Sequence, residues 1–377
     1  MSSDWGVILA SIIAFLYVQL IMRFTFGWFS LDTPSSSKRV SPGSASFSVI
    51  IAARNEEHLI NGCIEAIARQ DYPPHLFELI IINDHSTDFT SSVIQKFIED
   101  HPEITIHLLN AIGEGKKSAI TQGVNVAIGK LILVTDADCS MTSGWISSFA
   151  LEYEKTGSRC ISGPVKMIGK GLFAGIQGLE FMSLIGSGAG SISARMPVMC
   201  NGANFCYQKA AFETVGGFEG NDHYASGDDV FLMLKINKHY GNGTVSFLKD
   251  RSAIVTTTAQ PDLQSFLNQR MRWTSKTPGY TDFGIILTAL AVLLINLGLL
   301  TGCIYGLLTA RWQPFLLLTI SKLIIDFPLL LAVSTFLHQK RLLAYYLPVQ
   351  ILMPFYITYT ALGGLFSTVS WKDRPVK

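Results

Sequence analysis

The sequence predicts an α/β domain built on a largely parallel sheet and set between apolar segments long enough to cross a membrane. Three observations predict it. From residue 47 onward, short apolar runs alternate with helical stretches, the pattern of a parallel sheet with helices on both faces. Of the 377 residues, 49% are hydrophobic and only 15% charged, against about 25% charged in an ordinary soluble domain. The apolar excess is concentrated in residues 1–27 and 283–369, and the middle has the composition of a soluble protein.

Segment 6–27 is long enough to span, since about 20 apolar residues cross the hydrocarbon. No positive charge precedes it, it is too long for a signal peptide, and no small-residue cleavage site follows, so it reads as an anchor. Three further spans are expected at 284–309, 313–336 and 343–367. Arg23 lies near the end of the first span, Lys38 and Arg39 follow it, and only Asp4 precedes it. The positive-inside rule then places the middle domain in the cytoplasm. The loop His338–Arg341 falls on the same side, whereas the tail, with Lys372, Arg374 and Lys377, falls outside against the rule. A re-entrant segment would change the count of four. The expectation is a multi-pass integral protein of a bacterial inner membrane with a cytoplasmic catalytic domain. Within the third span Lys322 and Asp326 share one helix face, either as a functional intramembrane site or as an internally paired contact.

In the middle domain, 47–53 reads as a buried strand followed by a helix over about 56–69. Residues 78–84 form the second strand, before a helix that Ser86 or Thr87 could cap. Strands at 105–110 and 130–136 flank a helix beginning near Lys116. Such sheets bind ligands at the carboxyl ends of their strands, where Arg54, Asn55, Asp84, Asp136 and Asp138 collect. A dinucleotide-binding dehydrogenase needs GxGxxG after the first strand; here the turn is ARNEE, without glycine. The net charge of +1 and dispersed Lys and Arg residues argue against nucleic acid. Six cysteines without a CxxC pair read as buried, reduced thiols.

Asp136-Ala137-Asp138 closes an apolar strand, and residues two apart in an extended segment point the same way. Both carboxylates can therefore face one ligand, as hard divalent ions bound with phosphates require. GEGKKSAI sets Lys116 and Lys117 at a helix start, where amides and ammonium groups suit phosphate. CNGANF (200–205), SGDDVFL (226–232) and QRMRW (269–273) follow. Asp228 and Asp229 open a helix, so they serve either helix-terminal charge balance or catalysis. The apolar, small-residue stretch 171–196 is either an interfacial helix that brings an acceptor to the site or a buried core helix. Residues 262–273 read as a second interfacial helix.

The ordered set ARNEE, NDHSTD, GKKSAI, DAD, GDD and QxxRW resembles membrane-integrated family 2 glycosyltransferases, a group that includes cellulose, hyaluronan and poly-N-acetylglucosamine synthases and ceramide glucosyltransferases. The resemblance covers about residues 47–275. It implies a GT-A fold, a Rossmann-like nucleotide-sugar-binding domain, using a UDP-sugar and Mg²⁺ or Mn²⁺. It further implies that Asp84 holds the uracil, that Ala53, Arg54 and Glu56 line the nucleotide site with Lys117, and that Asp136 approaches the ribose and diphosphate. Asp138 would ligate the metal and Asp229 would be the general base. Gln269, Arg272 and Trp273 would gate the diphosphate and acceptor site, with Asp228 beside the base. Many relatives carry Glu where Asp228 stands, which bears on sugar preference. Inverting transfer does need a base for the acceptor hydroxyl and cations for the departing diphosphate, and an arginine fork suits phosphate.

The implied layout is an anchor (1–30), a linker (31–46), a catalytic domain (47–275), C-terminal spans (283–369) and a tail (370–377). Two acceptor classes remain open: a lipid that takes one sugar, and a growing glycan extended processively. The modest number of spans tilts the reading to the lipid. A catalytically silent nucleotide-sugar receptor would lack the metal or base carboxylates, and these are present.

Overall fold

The computed structural model describes residues 5–33, 45–221, 224, 226–366, 369–371 and 374–376. Lys38 and Arg39, most of the 31–46 linker, and Lys372 and Lys377 lie outside them. In chain order the elements begin with α1 (Trp5–Ser30), β1 (Phe47–Ala53), α2 (Ile60–Ala68), β2 (Phe77–Asn83) and α3 (Thr90–Asp100). Next come β3 (Ile106–Asn110), α4 (Lys116–Val126), β4 (Leu131–Asp136), α5 (Trp145–Thr156), β5 (Cys160–Ser162) and β6 (Val165–Ile168). They continue as α6 (Gly171–Ser193), β7 (Phe205–Gln208), α7 (Lys209–Thr214), α8 (Asp228–Tyr240), β8 (Val245–Phe247) and β9 (Val255–Thr258). The chain then runs through α9 (Leu263–Thr274), α10 (Phe283–Thr309), α11 (Gln313–Phe336) and α12 (Tyr346–Phe366), before a short terminal hairpin. The chain divides into two units, one of residues 31–168 and 200–258, the other of residues 1–30, 169–199 and 259–377.

The first unit is a seven-stranded sheet in the order β3-β2-β1-β4-β7-β5-β8. The four expected strands are parallel neighbours, with Val49 level with Leu79 on one side and Leu133 on the other. β2 is buried along its whole length, as a central parallel strand covered on both faces should be. Beyond β4 the sheet is mixed, because β7 runs antiparallel to both β4 and β5. A separate two-stranded ladder joins β6 to β9.

Two helix starts differ from expectation, for one reason. The turns after β1 and β2 hydrogen-bond to each other instead of starting helices. Thr90 Oγ1 accepts from the Glu56 amide, Asp88 Oδ2 from the Glu57 amide, and Glu57 Oε2 from the Phe89 amide. α2 therefore begins at Ile60, and α3 at Thr90, where Asp88 rather than Ser86 or Thr87 accepts the first free amide. The Ser86 hydroxyl instead accepts from the Asn55 amide.

In the second unit, α1, α10, α11 and residues 340–364 are each long and apolar enough to cross a membrane. α6 packs against α1, α11 and α12, and fourteen of its 23 residues are buried. Its small residues make this possible. A methyl group on Gly190 would sit 2.0 Å from the Phe24 carbonyl oxygen, and one on Gly27 would sit 2.1 Å from that of Gly190. Close backbone approach through glycine is how helices associate where apolar burial offers no net drive. The Lys322–Asp326 pair is internally satisfied: Lys322 Nζ lies 2.5 Å from Asp326 Oδ2. Asp326 also accepts from the Tyr17 hydroxyl at 2.8 Å and from Gln350 Nε2 at 3.0 Å, joining α1, α11 and α12.

Removing one partner of a buried ion pair costs about 3–5 kcal/mol, whereas apolar replacement of both is often neutral. Asp326→Leu should therefore lower the melting temperature in detergent sharply, and Lys322→Leu with Asp326→Leu should restore most of it. Gly190→Val should cost about 1–3 kcal/mol by overpacking, read in the same melts.

Candidate functional site at the carboxyl end of the sheet

Five segments far apart in sequence meet within the sheet unit. β4 delivers Asp136 at its last position and Asp138 just beyond it. α4 starts at Lys116 and α8 at Asp228, each preceded by a glycine in the left-handed region, Gly115 at φ 87° and Gly227 at φ 84°. That conformation penalises any residue with a Cβ, so the glycines of GKK and GDD are set by backbone geometry. The fourth segment is the turn Gly202–Asn204, and the fifth is β9.

Lys116 is the hub. Its Nζ lies 2.7 Å from Asp136 Oδ1 and 3.5 Å from Asp228 Oδ2. Burial alone would lower its pKa, but Asp136 and Asp228 hold the ammonium above its usual value. The Gly202 amide donates to Asp229 Oδ2 at 2.8 Å, and the Val230 amide to Oδ1 at 2.7 Å. Both oxygens of Asp229 are thus oriented by backbone amides. A methyl group on Gly202 would lie 3.4 Å from both Asp228 Oδ2 and Lys116 Nζ, which places this turn against the charged cluster.

Asp138 differs from Asp136 in having no lysine within ion-pair reach among the described residues. It accepts from Thr257 Oγ1 at 3.2 Å and from the Cys139 thiol at 3.6 Å. Burial, and after it the charge of Asp136, push its pKa up. Ligand atoms of Asp136, Asp138 and Cys139 all fall within 4.8 Å of one another. A partly buried carboxylate pair with one member not paired to a lysine among the described residues fits a hard divalent ion such as Mg²⁺ or Mn²⁺. Cys139 does not add to that set, because burial and the two aspartates push its thiol up and keep it protonated. Cys63, Cys139, Cys160 and Cys206 are buried, and Cys200 and Cys303 are partly exposed.

The other expected residues fall as follows. Ala53 is fully buried at the end of β1. Asp84 is 1% exposed, with Oδ2 accepting from the Gly115 amide at 3.1 Å and Oδ1 3.0 Å from His85 Nδ1. It ties β2 to the turn that starts α4. Arg54 donates to the carbonyls of Asp84 and His85, each at 2.9 Å. This clamp sits beside two non-glycine residues in the left-handed region, Asn55 (φ 52°) and His85 (φ 55°), strain of the kind that gathers at functional sites. Glu56 uses its amide to join the two turns.

Lys117, expected at the phosphate, turns away from the carboxylates. Its Nζ donates to the carbonyls of Asn221 and Tyr224 at 2.5 and 2.7 Å and lies over the Phe231 ring. The lysine among the carboxylates is Lys116, because successive helical residues point about 100° apart and only one can face the strand ends. Gln269, Arg272 and Trp273 belong to α9, in the other unit.

Three contributors escaped the sequence. Thr257 lies in a run of threonines with nothing to mark it. Gly202 stood inside the flagged CNGANF, but its role is an amide. Asn204 has no exposed surface, donates through Nδ2 to the carbonyls of Pro164 and Ala253 and accepts from Trp145 Nε1, each at 2.8 Å. It thereby fixes the turn that presents Gly202.

Residues 48–215 match the Glycosyl transferase family 2 domain. The chain is 27% identical to the Probable glycosyltransferase YdaM of Bacillus subtilis, over 60% of this chain and 54% of that one. It is 26% identical to the poly-β-1,6-N-acetyl-D-glucosamine synthase of Staphylococcus epidermidis, over 45% of this chain and 41% of the other. It is 30% identical to the β-monoglucosyldiacylglycerol synthase of a Nostoc species, over 29% and 24%. The chain thus spans about half or less of the length of these curated relatives. Among solved structures it is similar to the mannosyltransferase PcManGT from Pyrobaculum calidifontis, solved with GDP-Man and Mn²⁺. The TM-score is 0.62 at 17% identity, covering 96% of this chain and 98% of that one. At that identity the likeness establishes the fold.

Asn204→Ala would strand two buried polar groups, the Ala253 carbonyl and the Trp145 indole N–H, each worth about 1–3 kcal/mol; the Pro164 carbonyl keeps the Val255 amide. The loss should be at least about 2 kcal/mol, measured by thermal unfolding of the full chain in detergent.

Proposed function

With residues 48–215 forming a Glycosyl transferase family 2 domain, we propose that this chain is an inverting transferase that moves a sugar from a UDP-sugar to a membrane-associated acceptor. The observation that carries the reading is the meeting of Asp136, Asp138, Asp228 and Asp229 with Lys116 at the carboxyl end of the parallel strands. A single displacement at an anomeric carbon needs a base on one side and positive charge on the other. That cluster offers both.

Asp229 removes the proton of the acceptor hydroxyl as its oxygen bonds to the anomeric carbon. The bond from that carbon to the diphosphate oxygen breaks, and the nucleotide leaves with the electron pair. The amides of Gly202 and Val230 hold Asp229 in one orientation throughout, which is where positioned bases gain their effect. A divalent ion held by Asp138 and Asp136 would supply positive charge to the leaving diphosphate. Lys116 keeps Asp136 and Asp228 from repelling the anionic donor. Asp84 and the Ala53–Glu56 turn are assigned to the nucleotide, and Gln269, Arg272 and Trp273 to the diphosphate and acceptor. The domain is assigned to the cytoplasmic side because Arg23 lies near the end of the first span and further positive charges follow that span in the sequence.

A lipid acceptor that takes one sugar is the favoured product class. Support comes from the four membrane-length segments, few for a chain that must also conduct a polymer, and from similarity to a glycolipid synthase. The similarity to a polysaccharide synthase supports the alternative of processive extension.

The test is release of UDP from a panel of UDP-sugars, with GDP-mannose for comparison, by the full chain in nanodiscs with Mn²⁺ and a bacterial lipid extract. Asp229→Asn should reduce release about 10²–10⁴-fold, chelation should abolish it, and Lys116→Met should lower it far more than Lys117→Met. A single glycolipid product is expected, and a ladder of long chains would establish the processive alternative. UDP binding without release from any donor would leave the silent receptor.

A further inference from the structure

The residue between the two ends of the QxxRW motif has the most constrained side chain on α9. Arg270 is 2% exposed. Its fork meets Glu180 of α6 in a bidentate pair, Nε to Oε1 at 3.3 Å and Nη2 to Oε2 at 2.6 Å. Glu180 is itself 5% exposed, and its Oε1 also accepts from the Tyr356 hydroxyl of α12 at 3.1 Å. The guanidinium carbon lies 4.1 Å from the centre of the Trp273 ring and 4.7 Å from that of Phe266, so the plane is held between two aromatic faces. The remaining edge is used too: Nη1 donates to the side-chain oxygen of Gln269. α9 is pressed onto α12 at the same level, where a methyl group on Gly363 would lie 2.9 Å from Met271 Sδ.

Such a pair is poorly explained by stability alone. Two apolar side chains of similar volume would hold helices together as well or better, since the desolvation of both charges rivals their attraction. What the fork adds is direction. Two parallel hydrogen bonds fix the plane of a guanidinium, and that plane fixes whatever stacks on it or bonds to its edge. Here those are Trp273 and Gln269.

We propose that Arg270, anchored by Glu180 and Tyr356, is a positioning residue that sets the orientation of Gln269 and Trp273 for the acceptor. This rests on the reading of Gln269 and Trp273 as acceptor-side residues. Arg270 touches neither donor nor acceptor; it acts through its neighbours. Arginine is required over lysine, because a point charge would neither stack flat nor reach Glu180 and Gln269 at once.

The test compares the full chain in nanodiscs with the pair variant Glu180→Leu/Arg270→Met and with Arg270→Lys, using Trp273→Ala and Trp273→Phe as references. Melting temperature, UDP release at varied UDP-sugar with lipid extract, and acrylamide quenching of the Trp273 fluorescence isolated by subtracting the Trp273→Phe signal are read together. The expected result for the pair variant is an unchanged or raised melting temperature and easier quenching of Trp273. Maximal turnover should fall roughly 10²-fold, as a misplacement of about 1 Å produces, at an unchanged KM for the donor. Arg270→Lys should fold and show the same split. A pair variant with native quenching, or with native turnover beside a damaged Trp273→Ala, overturns the proposal. Native turnover in Trp273→Ala instead refutes the acceptor-side reading, and the quenching arm still decides whether Arg270 orients that ring. Should the pair variant fail to fold, Arg270→Lys decides alone: native quenching and native turnover in it overturn the proposal.

Discussion

Lys116 stands where the carboxylates of two motifs converge, and much of the sheet unit is arranged around that neutralisation. Asp136 reaches it from the end of β4 and Asp228 from the start of α8. Without the ammonium between them, these two groups would add to the charge of Asp138 and Asp229 in a partly buried region, where like charges repel more than they do in bulk water. With it, Asp138 is left as the unneutralised carboxylate, suited to a divalent ion. Asp229 accepts from two backbone amides and adds to the negative charge around the ammonium.

The scaffolding that makes this possible is mostly backbone. Left-handed glycines open α4 and α8, the turns after β1 and β2 hydrogen-bond to each other, and Arg54 clamps the second turn by its carbonyls. Asn204 fixes the turn that supplies the Gly202 amide. Preorganised donors of this kind need no rearrangement during reaction, which suits a chemistry in which a diphosphate must leave as the acceptor arrives.

The membrane-type unit solves a different problem with related means. Where most packing is apolar and interchangeable, the two buried ion pairs found in it among the described residues are directional. Asp326 joins three helices through Lys322, Tyr17 and Gln350. Glu180 joins α6, α9 and α12 through Arg270 and Tyr356. The glycines of α6 bring the helices close enough for such short side-chain contacts.

The sequence by itself determined the class of fold, the four apolar segments and the motifs that place the chain among glycosyltransferases. Each of these is written in local pattern: the alternation of apolar runs, the length of a hydrophobic stretch, carboxylates two apart at a strand end. It also located GKK and GDD, as lysines and aspartates at the starts of helices. The antiparallel β7 was not legible, since a buried four-residue strand carries no mark of its direction. Only the tertiary structure decided which lysine of the GKK pair meets the aspartates, that α6 is buried along most of its length, and that Gly202, Asn204 and Thr257 belong to the site. These depend on contacts between residues tens to more than a hundred positions apart, and on backbone amides that every residue except proline possesses. No local pattern distinguishes the amide that binds Asp229 from its neighbours; the folding of the chain around it does.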